Sequence, residues 1–189
     1  MHPIVLDIET QNLFNEVGYD HKKLKVSVVG IYDYDTDSYE TYFEKDLNNL
    51  FQKLEHTSLL IGFNINKFDL PVLAPYYLGN LFKIPTLDLL EEVYKSLGFR
   101  LALDDLARST LGVKKEGHGL LAIEYFRQGN YDKLKKYCLS DVKITKELYE
   151  FGKKEKKLYF QGVKGKREIT VNWGHLPNQN PGIELTLPI

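Results

Sequence analysis

The N-terminal apolar run Ile4–Leu6 ends on two acids, Asp7 and Glu9, the pattern of a buried strand that delivers polar groups at its C-terminal end. Leu24–Tyr32 (LKVSVVGIY) is dense in β-branched residues and predicts a second strand. A turn at Asp33–Ser38 (DYDTDS) and an alternating Tyr39–Phe43 add a third, so the chain opens as an antiparallel meander. The period then changes. Leu47, Leu50, Phe51 and Leu54 share one helical face over Asp46–Leu54, with Asp46 in the N-cap position. Ser58–Phe63 (SLLIGF) predicts a fourth strand, buried on both faces.

Asp69–Leu78 is expected to be helical, with Pro71 tolerated near its start, and Pro85–Leu87 to be a brief fifth strand. Beyond Asp88 the spacing is helical with breaks, over Leu89–Leu97, Leu103–Leu111, Leu121–Gln128, Tyr131–Tyr137 and Leu139–Phe151. A meander, then alternating strands and helices, then helices alone imply an α/β fold: a mixed sheet flanked by helices over residues 1–152. Residues 153–189 form an extension. Lys153, Lys154, Lys156, Lys157, Lys164, Lys166 and Arg167 crowd its first part, where Leu158–Gln161 and Glu168–Trp173 flank a turn-rich GVKGK and predict a C-terminal β-hairpin. The last stretch, His175–Ile189, holds three prolines and little periodicity, as an extended strap or a disordered end does.

At 189 residues the chain can bury one core with an appendage but not two full domains. Hydrophobic (43%) and charged (27%) shares are ordinary for a globular protein, which excludes wholesale disorder. A net charge of −1 offers no bulk attraction to polyanions, so contact with nucleic acid must come from local basic patches or bound metal. The lone Cys138 excludes an intrachain disulfide and a Cys-rich zinc site, and suits a reducing compartment. The N-terminus lacks the basic and apolar regions of a secretory signal, and no apolar run approaches the ~20 residues that cross a bilayer. A soluble, cytoplasmic protein is expected.

Three short motifs hold the candidate chemistry. In Asp7-Ile8-Glu9-Thr10, strand alternation sends Asp7 and Glu9 to one side, where they repel unless a cation lies between them. In Gly62-Phe-Asn64-Ile-Asn66-Lys-Phe68-Asp69-Leu-Pro71, a strand ends, a polar loop follows, and Asp69 opens a helix, where simple capping is the plainer role. In Tyr137-Cys-Leu-Ser-Asp141, four-residue spacing puts Tyr137 and Asp141 on one helical face. Tyr42 and Asp46 share that spacing, so no single motif decides.

Taken together and in this order, on a strand, a loop–helix start and a helix, these residues resemble the DEDD exonuclease superfamily, which includes polymerase proofreading domains and ribonuclease D. Tyr137 resembles the tyrosine subclass; a histidine subclass would place His where Lys136 stands. The wording of all three motifs is similar to the exonuclease domain of family-B DNA polymerases and its stand-alone relatives, over about residues 1–151. The chain is too short to hold a polymerase module as well.

The resemblance implies a ribonuclease H-like fold and two divalent cations, Mg²⁺ or Mn²⁺, held by Asp7, Glu9, Asp69 and Asp141. Hard cations prefer carboxylate oxygens, and a pair about 3.5–4 Å apart activates water and neutralises the scissile phosphate. By the same resemblance Asp7 bridges the metals, Glu9 and Asp141 complete the water-activating site, and Asp69 supports the second. Tyr137 orients the water, since an ordinary tyrosine with a pKa of about 10 leaves little phenolate. Thr10, Asn64 and Phe68 line the pocket for the terminal nucleotide. The implied activity is 3′–5′ exonucleolytic release of nucleoside 5′-monophosphates from single-stranded ends, DNA favoured over RNA. A catalytically silent nucleic-acid-binding module and a structure-specific endonuclease are the rivals.

The remaining features read more plainly. His118, between glycines, is expected to be an exposed loop residue; Asp104 and Asp105 to cap a helix; Asp88 to stay out of the site. Cys138 is expected in the core, facing away from Tyr137. The basic hairpin is a solvated face or a clamp on a nucleic-acid backbone, and Phe160 and Trp173 either stack on bases or pin the hairpin down.

Overall fold

A computed structural model of the protein describes residues 2–114 and 119–173. His118 and the strap at 175–189 lie outside the described residues. Five strands form one sheet: β1 (Pro3–Thr10), β2 (Val26–Asp33), β3 (Ser38–Phe43), β4 (Leu59–Gly62) and β5 (Thr86–Asp88), in the order β3-β2-β1-β4-β5. β1, β2 and β3 pair antiparallel as the meander; β4 and β5 join parallel to β1. The sheet is mixed and flanked by helices, as the pattern predicts.

Alternation along β1 sorts its side chains. Ile4, Leu6 and Ile8 enter a core beneath α1 (Leu47–Leu54) and α2 (Asp69–Leu73). Val5 enters the opposite core, formed with α3 (Leu89–Leu97), α4 (Leu103–Leu111) and α6 (Tyr131–Glu155). Asp7 and Glu9 therefore share the α6 face. A smaller apolar cluster on that face joins Val28 to Ala122 of α5 (Gly119–Arg127) and to Leu134, Tyr137 and Cys138 of α6.

Four expectations need correction. The helix predicted to break at Cys138 is continuous over 25 residues, because neither Gly nor Pro interrupts it before Gly152 and the sheet supports it. The helix expected to reach Leu78 leaves α geometry after Leu73 for a 3-10 turn at Ala74–Tyr76, where Pro75 has no N–H to donate. Asp46 precedes α1 but its side chain makes no capping bond; a 3-10 turn at Glu44–Asp46 leads in, and Asp46 is not extended as a cap requires (φ −102°, ψ 4°). Asp104 and Asp105 do not cap α4; they occupy its first turn, where they favour the helix dipole, and Asp104 pairs with Arg108.

The hairpin forms from β6 (Lys157–Gly162) and β7 (Gly165–Thr170). Its inner face belongs to the main core: Leu158, Phe160, Ile169, Val171 and Trp173 are all buried there. Trp173 lies over Gly152 so closely that a Cβ at residue 152 would meet the indole at 2.0 Å. Phe160 and Trp173 thus pin the hairpin rather than offer faces to bases, while Lys164, Lys166 and Arg167 stay exposed.

Helix α6 packs tightly on the sheet at Gly30, which pairs with Asp7 across β1–β2. A Cβ at residue 30 would stand 2.8 Å from Cys138 Sγ and 3.0 Å from Val142 Cγ2. Gly30→Ala should therefore overpack this seam and cost about 1–3 kcal/mol in urea denaturation. Adding Cys138→Ala, which removes the sulfur, should recover part of that loss rather than add to it. Strictly additive losses would show that α6 does not lean on Gly30.

Candidate active site

One carboxylate oxygen from each of Asp7, Glu9 and Asp141 lies within 4.8 Å of the other two. Asp7 is half-buried; Glu9 and Asp141 are buried. β1 supplies the first two from one face, and α6, lying across that face, supplies the third. Tyr137 sits one turn earlier on α6 and is also buried. Hard oxygen donors gathered from two elements suit a hard divalent cation.

Asp69 stands outside that trio but reaches the same strand. β4 pairs with β1 only as far as Val5, so the second half of β1 has no neighbour on that side. The start of α2 fills the gap, and the N–H of Ile8 hydrogen-bonds the Asp69 carboxyl between the positions of Asp7 and Glu9. The structure thus brings all four acids predicted from the sequence to one segment of β1, three of them in mutual reach.

The loop ahead of Asp69 is shaped by two residues outside the motifs. Asp88, expected to stay clear, accepts from the N–H groups of Asn64 (2.8 Å) and Asn66 (3.2 Å) while capping α3 through Leu90 N (3.0 Å) and Glu91 N (3.3 Å). Arg100 Nη2 donates to Asn64 Oδ1 at 2.8 Å. Asn64 adopts a left-handed conformation (φ 69°), which asparagine tolerates, and its carbonyl accepts from Lys67 and Phe68. The sequence signal for Asp88 was its place before a helical run; nothing marked Arg100.

Of the residues expected around a terminal nucleotide, Thr10 donates its hydroxyl to Asn12 O (2.9 Å), and half-buried Phe68 makes an edge contact with His21. Asn64 serves the loop as described. Cys138 is buried, but it shares its cluster with Tyr137 instead of facing away, because adjacent helical positions differ by only about 100°. Its sulfur lies 3.5 Å from Asp7 O and 4.0 Å from Asp7 Oδ2. Burial pushes this thiol's pKa well up, and the charges of Asp7, Glu9 and Asp141 push it further, so Cys138 is an inert spacer beneath the acids.

Burial also raises the Asp69 carboxyl above the ordinary aspartate range, and the negative charge of Asp88 adds to this; backbone N–H groups of Asp69 and Ile8 oppose it. Asp88 is raised by burial too, against the amides it accepts. An acid with a raised folded pKa stabilises the fold fully only below its unfolded value of about 4, and loses that contribution as pH climbs through the raised value. With a chelator present, Asp69→Asn should therefore gain Tm over the wild type progressively as pH rises from about 4 toward neutrality. Parallel Tm–pH curves for the two proteins would mean that Asp69 ionises as an ordinary surface aspartate does.

The model of the RNase H superfamily matches residues 4–151 of the chain, from the start of β1 into the last turns of α6. No curated protein matches the sequence significantly. Among solved structures the chain is similar to the family B DNA polymerase from the hyperthermophilic archaeon Pyrobaculum calidifontis, with a TM-score of 0.63 and 19% identity. That likeness covers 79% of this chain and 24% of the polymerase, so the chain spans about a quarter of its length. It is a likeness of fold. With all four acids and Tyr137 inside the matched segment, the chain belongs to the RNase H superfamily.

Proposed function

We propose that this protein is a metal-dependent 3′–5′ exonuclease of the tyrosine subclass. Its substrate is single-stranded nucleic acid, DNA favoured over RNA, and its product is nucleoside 5′-monophosphate. The strongest support is the convergence of Asp7, Glu9 and Asp141 within 4.8 Å of one another, on the face where α6 also sets Tyr137. The carboxylate-only donor set fits Mg²⁺ or Mn²⁺, and bound cations of this kind supply charge neutralisation and an acidified water.

Each of the chain's residues has a distinct part. Asp7, Glu9 and Asp141 would hold one cation, with Asp7 also available to a second, and such ions would neutralise the scissile phosphate and acidify a water. Asp69 approaches from the α2 side and would support the second cation. Tyr137 orients the water for attack on phosphorus opposite the departing 3′ oxygen. The bond between phosphorus and that oxygen breaks, a proton passes to the oxygen, and the terminal nucleotide leaves as its 5′-monophosphate. Thr10, Asn64 and Phe68 border the terminal nucleotide, with Asp88 and Arg100 holding the loop of Asn64 in shape.

A 5′-labelled single strand with Mg²⁺ tests the reading directly. Successive shortening from the 3′ end is expected; discrete internal cuts would make the protein an endonuclease, and no product a binding module. Asp7→Asn should lower turnover at least about a thousandfold, roughly 4 kcal/mol of barrier, and leave the fold intact. Near-normal turnover in a folded Asp7→Asn protein would sink the metal mechanism. Tyr137→Phe should cost about ten- to a few hundredfold, with metal affinity unchanged, as suits a lost positioning hydrogen bond. A rate equal to wild type would make Tyr137 structural.

A further inference from the structure

Pairing between β1 and β2 runs one to one from Ile4↔Asp33 to Glu9↔Val28 and then slips, so that Thr10 pairs with Val26. Ser27 is the extra residue of a β-bulge, a device that re-aims a side chain near the end of a ladder. Val26 and Val29 on either side enter the α1–α2 core, while Val28 joins the α5–α6 cluster. Ser27, which simple alternation with Val29 would turn toward α1–α2, instead lines a cavity bounded by α5 and α6. It is 1% exposed, and its hydroxyl has no hydrogen-bond partner among the described residues. A buried hydroxyl of this kind costs stability and calls for an explanation.

The cavity has a volume of about 370 Å³ and aromatic walls, Phe43, Phe126 and Tyr131. Tyr131 meets both other rings obliquely, at centroid distances of 5.4 and 6.3 Å. Two polar residues at its edge are already committed to the fold. Gln11 Nε2 donates to Val26 O and to Glu44 Oε2, and Tyr76 donates to Glu44 Oε1. Ser27 Oγ is left as the polar group of the floor. Exposed Lys45 stands at the rim, and Lys135 Nζ lies 5.2 Å from the centre of the Phe43 ring.

Aromatic walls, one hydroxyl able to donate or accept, Lys45 at the mouth and Lys135 beside the Phe43 ring match a flat heteroaromatic ring joined to a phosphate. The cavity lies on the face and at the sheet end of the acid trio. Ser27 adjoins Val28, the partner of Glu9, and Tyr131 precedes Tyr137 on α6 by about 9 Å along the helix axis. We infer that this cavity is a base-binding subsite, taking a nucleobase of the substrate strand upstream of the scissile phosphate. The inference rests on the reading of the acidic site as one for nucleic acid. Stacking makes such a subsite tolerant of base identity, and the mobile hydroxyl of Ser27 can face a donor or an acceptor edge.

Binding of short fluorescent single strands to the full chain in chelator, read by anisotropy, separates the subsite from catalysis. Each strand of a series lacks one base, at successive positions from the 3′ end. In the wild type one internal position should cost about tenfold in affinity, the size of a lost base–aromatic stack. Tyr131→Ala should bind the intact strand about tenfold more weakly and show no penalty at that position. Ser27→Ala should weaken binding severalfold while its Tm holds or rises, which a merely structural serine would not do. The same strands incubated with Mg²⁺ report cleavage independently. A position-specific penalty abolished by Tyr131→Ala, in a protein that shortens no strand, upholds the subsite and defeats the exonuclease reading. Normal shortening with a flat base profile, or with a profile unchanged in Tyr131→Ala, overturns the subsite and leaves the exonuclease standing. Failure to bind any strand overturns both.

Discussion

Helix α6 reaches the acidic strand because residue 30 has no side chain. Gly30 lies opposite Asp7 in the β1–β2 ladder, and Cys138 and Val142 occupy the space its Cβ would fill. That contact sets the height of α6 above the sheet. Asp141, between Cys138 and Val142 in the packed stretch, is thereby lowered onto Asp7 and Glu9. A carboxylate trio repels itself, and the apolar packing of β2 against α6 is what holds the three acids at this distance. Close-packed interiors behave this way: a single methyl group would be felt across the seam.

The other half of the site depends on a missing strand pair. β4 stops pairing with β1 at Val5, and the open amide of Ile8 is met by the Asp69 carboxyl instead of another strand. Asp88 and Arg100 hold the loop between β4 and α2 so that Asp69 arrives at this point. Burying Asp69 near Asp88 raises its affinity for protons, a cost that a divalent cation would relieve.

Charge and aromatic surface are distributed unevenly around this centre. The basic hairpin buries Phe160 in the domain core, with Trp173 just beyond it, and turns Lys164, Lys166 and Arg167 to solvent along with Val163 and Glu168. Near the acids, Phe43, Phe126 and Tyr131 wall a cavity lined also by the buried bulge residue Ser27. With a net charge of −1, attraction of a polyanion must be local. Lys45 and Lys135 place positive charge beside the rings of the cavity, and Lys166 places it over Tyr159 on the hairpin.

The sequence by itself determined the strands and most helices, because these follow from local periodicity, and it singled out Asp7, Glu9, Asp69 and Asp141 as candidates only through three motifs taken together and the family they resemble. Period-two alternation in β1 was enough to put Asp7 and Glu9 on one side; four-residue spacing was enough to align Tyr137 with Asp141. Helix boundaries were less legible: Pro75 cut α2 short, and packing on the sheet carried α6 through Cys138, where the local pattern alone suggested a break. Only the tertiary structure decided which face α6 covers, that Cys138 lies beneath Asp7, and that Asp88 and Arg100 shape the loop of Asn64. It also decided that Ser27 leaves its expected side of the strand. These outcomes depend on register, on a bulge and on distances between segments far apart in the chain, and no local pattern encodes such quantities.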